Sequence, residues 1–240
     1  MQCGIEDSQI QAALTLRSQH LPSWEASATA LYNLGRDLPS ETLSHVLGKV
    51  AAVDSLYNAQ VKRVLAMAEW ILKLAKAGEL AIPVLDPVTL VEHIASLDGL
   101  SNDGCQVFAS KYAHFCVDPG SFPIFDKYAA RALLCHWGRD EQLFGQYRYR
   151  KFSYILSRVR QVSSLRERSL GDLDAYLWLT GVYGEWRRSQ KEGRTPNILT
   201  ECRRLFENHE GKGDEVDGLL RALVPNDPLF AAIASMPEPP

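Results

Sequence analysis

The stretch from Phe108 to Asp126 restricts the fold more than any other part of the chain. It reads Phe-Ala-Ser-Lys-Tyr-Ala-His-Phe, then Cys-Val-Asp-Pro-Gly-Ser, then Phe-Pro-Ile-Phe and an aspartate. At about 100° per residue, Phe108, Lys111, Tyr112 and Phe115 share one face of a helix, with a single amine set among three aromatic rings. Pro119-Gly120 is a turn signal that ends that helix. Residues 122–125 form a short apolar hook. Asp126 then stands before a second helical run, Lys127 to Cys135, whose first backbone N–H groups a carboxylate can satisfy.

The remaining segments follow the same helical period. Residues 6–18 and 22–36 predict two helices separated at Leu21-Pro22, and Pro39-Ser40 predicts the start of a third that runs to about Val50, with Ser40 as its cap. The longest helical pattern runs from Asp54 to Ala77. Its apolar face holds Leu56, Val61, Val64, Leu65, Ala68, Ile71, Leu72 and Ala75, and Gly78 stops it. Ile82-Pro83-Val84 is a short extended piece, and Asp86-Pro87 opens a helix to about Ser96. Leu97 to Ser101 is a turn, after which Ser101 or Asn102 can cap the helix that carries Lys111. Trp137-Gly138 breaks the chain before a long helix from about Asp140 to Val162, followed by another from Leu173 to Trp186. Gly193 to Pro196 is a linker, and short helices flank Glu210-Gly-Lys-Gly-Asp214. No period-2 pattern extends beyond a few residues, so the expected class is all-α. The expected organisation is N-terminal helices over 1–53, a helical core over 54–186 and a C-terminal extension over 187–240.

Composition narrows the setting. With 46% hydrophobic and 23% charged residues, the 240-residue chain has the make-up of an ordinary water-soluble protein. No apolar run approaches the ~20 residues that span a bilayer, and the N-terminus lacks a signal-peptide pattern, so no membrane partner and a cytoplasmic location are expected. The five cysteines, Cys3, Cys105, Cys116, Cys135 and Cys202, form no CxxC pair, and four of them, in helical and partly apolar surroundings, read as reduced thiols. His93, His114 and His136 have no ligand-spaced neighbours, and no nucleotide-binding glycine motif, serine elbow or zinc-peptidase pattern occurs. Neither metal nor cofactor is expected.

Charge is unevenly distributed. Between Lys127 and Arg168 there are ten Lys or Arg against three Asp or Glu, a local balance of +7 in a chain whose net charge is −3. Arg148, Arg150, Lys151, Arg158 and Arg160 lie on one predicted helix and are candidate contacts for phosphates. Tyr147, Tyr149 and Phe152 can stack on bases or pack inward. The plainer alternative is a solvated helix face laced by i,i+4 pairs.

Two residues carry potential chemistry. An amine surrounded by aromatic rings is partly desolvated, which favours its neutral, nucleophilic form. The alternative is that the Lys111 stem lies along the rings while its ammonium reaches water. Asp126 is fully explained as a helix cap worth ~1 kcal/mol, but the conjunction of a lysine, a turn, the Phe-Pro-Ile-Phe hook and an aspartate at the mouth of a helix suggests more.

The segments Ser110-Lys-Tyr-Ala-His-Phe115 and Gly120-Ser-Phe-Pro-Ile-Phe-Asp126-Lys-Tyr-Ala-Ala-Arg-Ala-Leu133 resemble the core of the helix-hairpin-helix DNA glycosylase superfamily, nearest its 8-oxoguanine-glycosylase-like branch. The resemblance covers roughly residues 54–180. It implies removal of a modified base from DNA, with the base flipped into a pocket. It also implies that Lys111 attacks the sugar C1′ and that Asp126 supports charge on the sugar and orients the attacking group. Phe108, Tyr112 and Trp178 become base-pocket candidates, although a large aromatic at helical spacing is more often core. Gly99 and Gly104 precede Lys111 by more than the family's hairpin usually allows, so a member in which water replaces the lysine stays open. The competing expectation is a non-catalytic helical module that binds a nucleic acid or protein partner.

Overall fold

The computed structural model describes residues 4–57, 59, 61–82, 86–97, 102–137, 148–163 and 165–224. Among them are eleven helices and no strand: α1 (Asp7–His20), α2 (Pro22–Asp37), α3 (Leu43–Tyr57), α4 (Val64–Lys76), α5 (Pro87–Ala95), α6 (Asn102–Cys116), α7 (Lys127–Trp137), α8 (Arg148–Val162), α9 (Leu170–Glu192), α10 (Thr200–His209) and α11 (Glu215–Leu223). The fold is all-α.

Local chemistry explains most of the boundaries. Asp86 accepts the Val88 N–H with Pro87 at the first helical position, which opens α5. Ser169 and Asp172 form a reciprocal capping box at the start of α9, and Gly193 closes that helix in the left-handed region at φ 64°. Two expectations need correcting. The third helix starts at Leu43, because Thr42 caps it, receiving the His45 N–H on its hydroxyl. Ser40 instead accepts the buried Lys49 amine at 3.2 Å. The predicted run from Asp54 to Ala77 is two helices. The Asp54 carboxylate takes the Val61 N–H at 2.8 Å and its carbonyl takes the Ala59 N–H, which draws the chain back on itself and ends α3. The expected extended piece at 83–84, the turn at 98–101, the break at Gly138 and the start of a helix near Asp140 fall outside the described residues.

The chain divides into two compact units built from separated segments. The first comprises Met1–Glu25, Asp126–Gln142 and Tyr154–Pro240; the second comprises Ala26–Phe125 and Leu143–Ser153. In the first unit α9 packs against α7 and α1, and α1 against α11. The Gly181 Cα sits so close to α7 that a Cβ would lie 2.2 Å from the Tyr128 carbonyl oxygen. Three buried polar side chains there are linked in a chain: the Gln9 amide donates to the Tyr176 hydroxyl and the Leu223 carbonyl, and His136 Nε2 pairs with the same hydroxyl at 2.8 Å. In the second unit α3 packs on α4 and α6, and α5 on α6. Gly35 lets α2 approach the Phe115 carbonyl, where a Cβ would sit 2.0 Å away.

Candidate functional site

The aromatic face of α6 is buried as its period requires. Phe108 and Tyr112 expose none of their surface and Phe115 4%. Lys111 follows them inward, with only 5% of its surface exposed. Its Nζ donates to the Tyr57 carbonyl at 3.2 Å and lies over the Tyr57 ring, 5.6 Å from the centroid. The Tyr57 ring in turn contacts Phe115 at 4.9 Å.

The rest of the segment is pinned by polar side chains. His114 is 1% exposed; its Nδ1 lies 2.6 Å from the Phe122 carbonyl and its Nε2 2.7 Å from the Tyr32 hydroxyl. A carbonyl only accepts, so Nδ1 carries hydrogen. The Ser110 hydroxyl accepts the Phe125 N–H at 3.0 Å and donates to the Val107 carbonyl. That bond joins the residue before Lys111 to the residue before Asp126.

Asp126 belongs to the first unit and Lys111 to the second. Asp126 is 7% exposed and caps α7: its Oδ1 accepts the N–H groups of Tyr128 and Ala129, both at 2.9 Å. The helix dipole favours a carboxylate there. Further along α7, the 3%-exposed Arg131 meets Glu185 at 3.1 Å, and Glu185 also binds Arg188 at 2.6 Å and Arg194 at 2.8 Å. Burial pushes the Glu185 carboxyl up, but the Arg194 hydrogen bond and the charges of Arg188, Arg194 and Arg131 hold it below the usual value. Tyr128 donates its hydroxyl to the Asn197 carbonyl at 2.6 Å; burial, with the nearby Glu185 and Asp126 charges, raises its phenol well above the ordinary value.

Of the base-pocket candidates, Phe108 and Tyr112 are core residues. Phe108 and Tyr112 have no surface for a flipped base to meet, because the period that aligns them with Lys111 turns all of them inward. Trp178 is half-buried and packs on Trp24 at 4.3 Å, with Tyr128 edge-on at 6.4 Å.

The basic helix is less free than its composition suggests. Arg150 makes a bidentate pair with Glu92, at 3.1 and 2.6 Å. Arg160 donates to the carbonyls of Leu165, Arg166 and Arg168, holding the turn that follows α8. Arg158 is exposed and meets the neutral Gln161 at 3.2 Å, while Arg148 and Lys151 are half-buried. Tyr149 and Phe152 are core, both in contact with Phe125; Tyr147 lies outside the described residues. The aromatic that faces solvent is Tyr154, 60% exposed and one turn before Arg158.

Tyr57 had no signal in the sequence, because a backbone carbonyl that grips a lysine leaves no mark on residue type. The Glu92–Arg150 pair, between residues 58 positions apart, was equally silent.

Comparison with known proteins adds little. A family model described as an N-terminal domain matches residues 9–119, a span that includes Lys111 and stops before Asp126. No curated protein matches the chain, and no solved structure does. Among the described residues no group of three His, Cys, Asp or Glu side chains is placed to hold a metal, and no helix is long and apolar enough to cross a membrane.

Proposed function

We propose that the protein is a DNA glycosylase-like enzyme that releases a modified base, with Lys111 as nucleophile and Asp126 as the charge-stabilising acid. The supporting observation is the Ser110–Phe125 hydrogen bond, which ties the turn carrying Lys111 to the hook that delivers Asp126 to its helix N-terminus. In this reading the neutral Lys111 nitrogen bonds to the sugar C1′ as the glycosidic bond breaks, and the base leaves with the bonding pair. The Asp126 carboxylate, held by two backbone N–H groups, offsets positive charge on the sugar. Tyr154 and Arg158 supply a ring and an unneutralised guanidinium for the nucleic acid. A cytoplasmic setting fits the thiols Cys116, Cys135 and Cys202, each pushed up to about 12 by burial and so inert.

The test is base release and borohydride trapping on duplexes carrying modified bases or abasic sites. Wild-type protein should release base and cross-link through Lys111, and Asp126→Asn should slow release by about 10²-fold or more. Release without trapping would transfer the attack to water and keep Asp126. A second reading, a binding module without catalysis, is favoured by the complete burial of Phe108 and Tyr112. It would prevail if no lesion is processed and Asp126→Asn binds DNA as wild type does.

A further inference from the structure

We infer that Tyr57 is the positioning residue of the Lys111 amine, fixing where its nitrogen points through two separate contacts; this rests on Lys111 being the nucleophile. A lysine with 5% exposure needs internal acceptors for its N–H groups. Tyr57 is the last residue of α3, where carbonyls lack partners within the helix, and its carbonyl takes one Lys111 N–H at 3.2 Å. The same residue places the face of its ring under the ammonium at 5.6 Å. The ring also touches Phe115, one turn beyond Lys111 on the same face of α6, at 4.9 Å, and Tyr32 meets Phe115 edge-on at 4.9 Å.

The two contacts do different things. The carbonyl accepts an N–H from either the charged or the neutral amine, so the nitrogen stays in place when its proton leaves, with the lone pair directed away from that carbonyl. The ring keeps the four-carbon stem from swinging toward water. When the nitrogen attacks the aldehydic C1′ of an abasic site, its lone pair makes the C–N bond and the carbonyl π pair moves to oxygen. Loss of water gives the imine, and borohydride supplies the hydride that fixes it as an amine.

The variants keep the backbone carbonyl and change only the ring. Tyr57→Phe retains a π face, Tyr57→Leu removes it, and Phe115→Leu loosens the same cluster while leaving the Tyr57 ring beside the amine. Two readouts on the full-length protein are compared: borohydride trapping on an abasic-site duplex, and acetylation of Lys111 by acetic anhydride without DNA, followed by peptide mass spectrometry against the exposed Lys62. Tyr57→Phe should match wild type in both. Tyr57→Leu should trap about fivefold less and acetylate Lys111 about fivefold faster, the size expected for loss of one part-exposed cation–π contact. Phe115→Leu should change acetylation less than about twofold. If Tyr57→Leu does not fold, Tyr57→Met, which keeps bulk without a π face, carries the same expectation.

The inference is overturned if Tyr57→Phe is as impaired as Tyr57→Leu, if Phe115→Leu reproduces the Tyr57→Leu acetylation, or if wild-type Lys111 acetylates as fast as Lys62. Failure of wild-type protein to trap counts against Lys111 as nucleophile, and the acetylation arm alone then decides whether Tyr57 holds the amine.

Discussion

Gly181 and Glu185 are one helical turn apart on α9, and they show how much single residues decide in this protein. At Gly181 a methyl group would land on the Tyr128 carbonyl oxygen, and backbone cannot move aside as a flexible side chain can. Gly181→Ala should therefore cost about 3 kcal/mol, at the upper end of overpacking, and chemical denaturation will measure it. Glu185 is the acid on which Arg131, Arg188 and Arg194 converge, with 4% of its surface exposed. Glu185→Gln keeps the shape but leaves those guanidiniums without their shared charge, so a loss of about 3–5 kcal/mol is expected. If either change leaves the denaturation midpoint where it was, the packing or the charge balance described for α9 is wrong.

The loop between α10 and α11 is an element built around one carboxylate. Gly211 and Gly213, at φ 72° and 73°, present their N–H groups to Asp217, one to each oxygen at 2.9 and 3.0 Å, and Arg221 adds a third contact at 2.8 Å. The Gly211 hydrogen bond, with help from Arg221 and Gly213, lowers the Asp217 pKa below its usual 3.8. A carboxyl depressed in the folded state stabilises above its unfolded pKa and loses that contribution as pH falls through the folded value. Thermal melts of Asp217→Asn should thus sit below wild type at neutral pH, and the gap should close as pH drops below about 3.8. Under the proposed function, Arg158→Ala on α8 should lower the slope of log affinity against log salt for duplex DNA by about 0.9, the value for one phosphate contact. Arg160→Ala should instead lower the melting temperature, because three carbonyls lose their donor.

At the scale of the whole molecule, short-range chemistry was readable in the residues and long-range pairing was not. Helical period and caps announced α5 and α7, since Asp86-Pro87 and Asp126 act on neighbours a few positions away, whereas α9 runs past the expected end at Trp186 to Glu192, where Gly193 closes it. The inward face of α6 was legible, yet the fate of its lysine was not, because the Tyr57 carbonyl lies 54 positions off. The split of the long run at 58–63 escaped for a related reason: the Asp54 side chain reaches forward seven residues to Val61, overriding an apolar pattern that continues through the break. Charge counting saw ten cations in one stretch and could not see Glu92 arriving from another helix.

The second unit takes its last piece, Leu143–Ser153, from beyond the segment that supplies α7. From that piece the Tyr149 N–H reaches the buried Gln106 amide oxygen at 3.0 Å, and the Tyr149 and Phe152 rings cover Phe125. A recombinant fragment cut at residue 119 would lose the Tyr149 N–H from the Gln106 amide oxygen, and would lack both rings and the phenylalanine they cover. Such a fragment should exchange its α6 amides with deuterium within the dead time of the experiment, where the intact chain protects them. A fragment that keeps the amine's own surroundings whole must run past Ser153, and it then carries Asp126 as well.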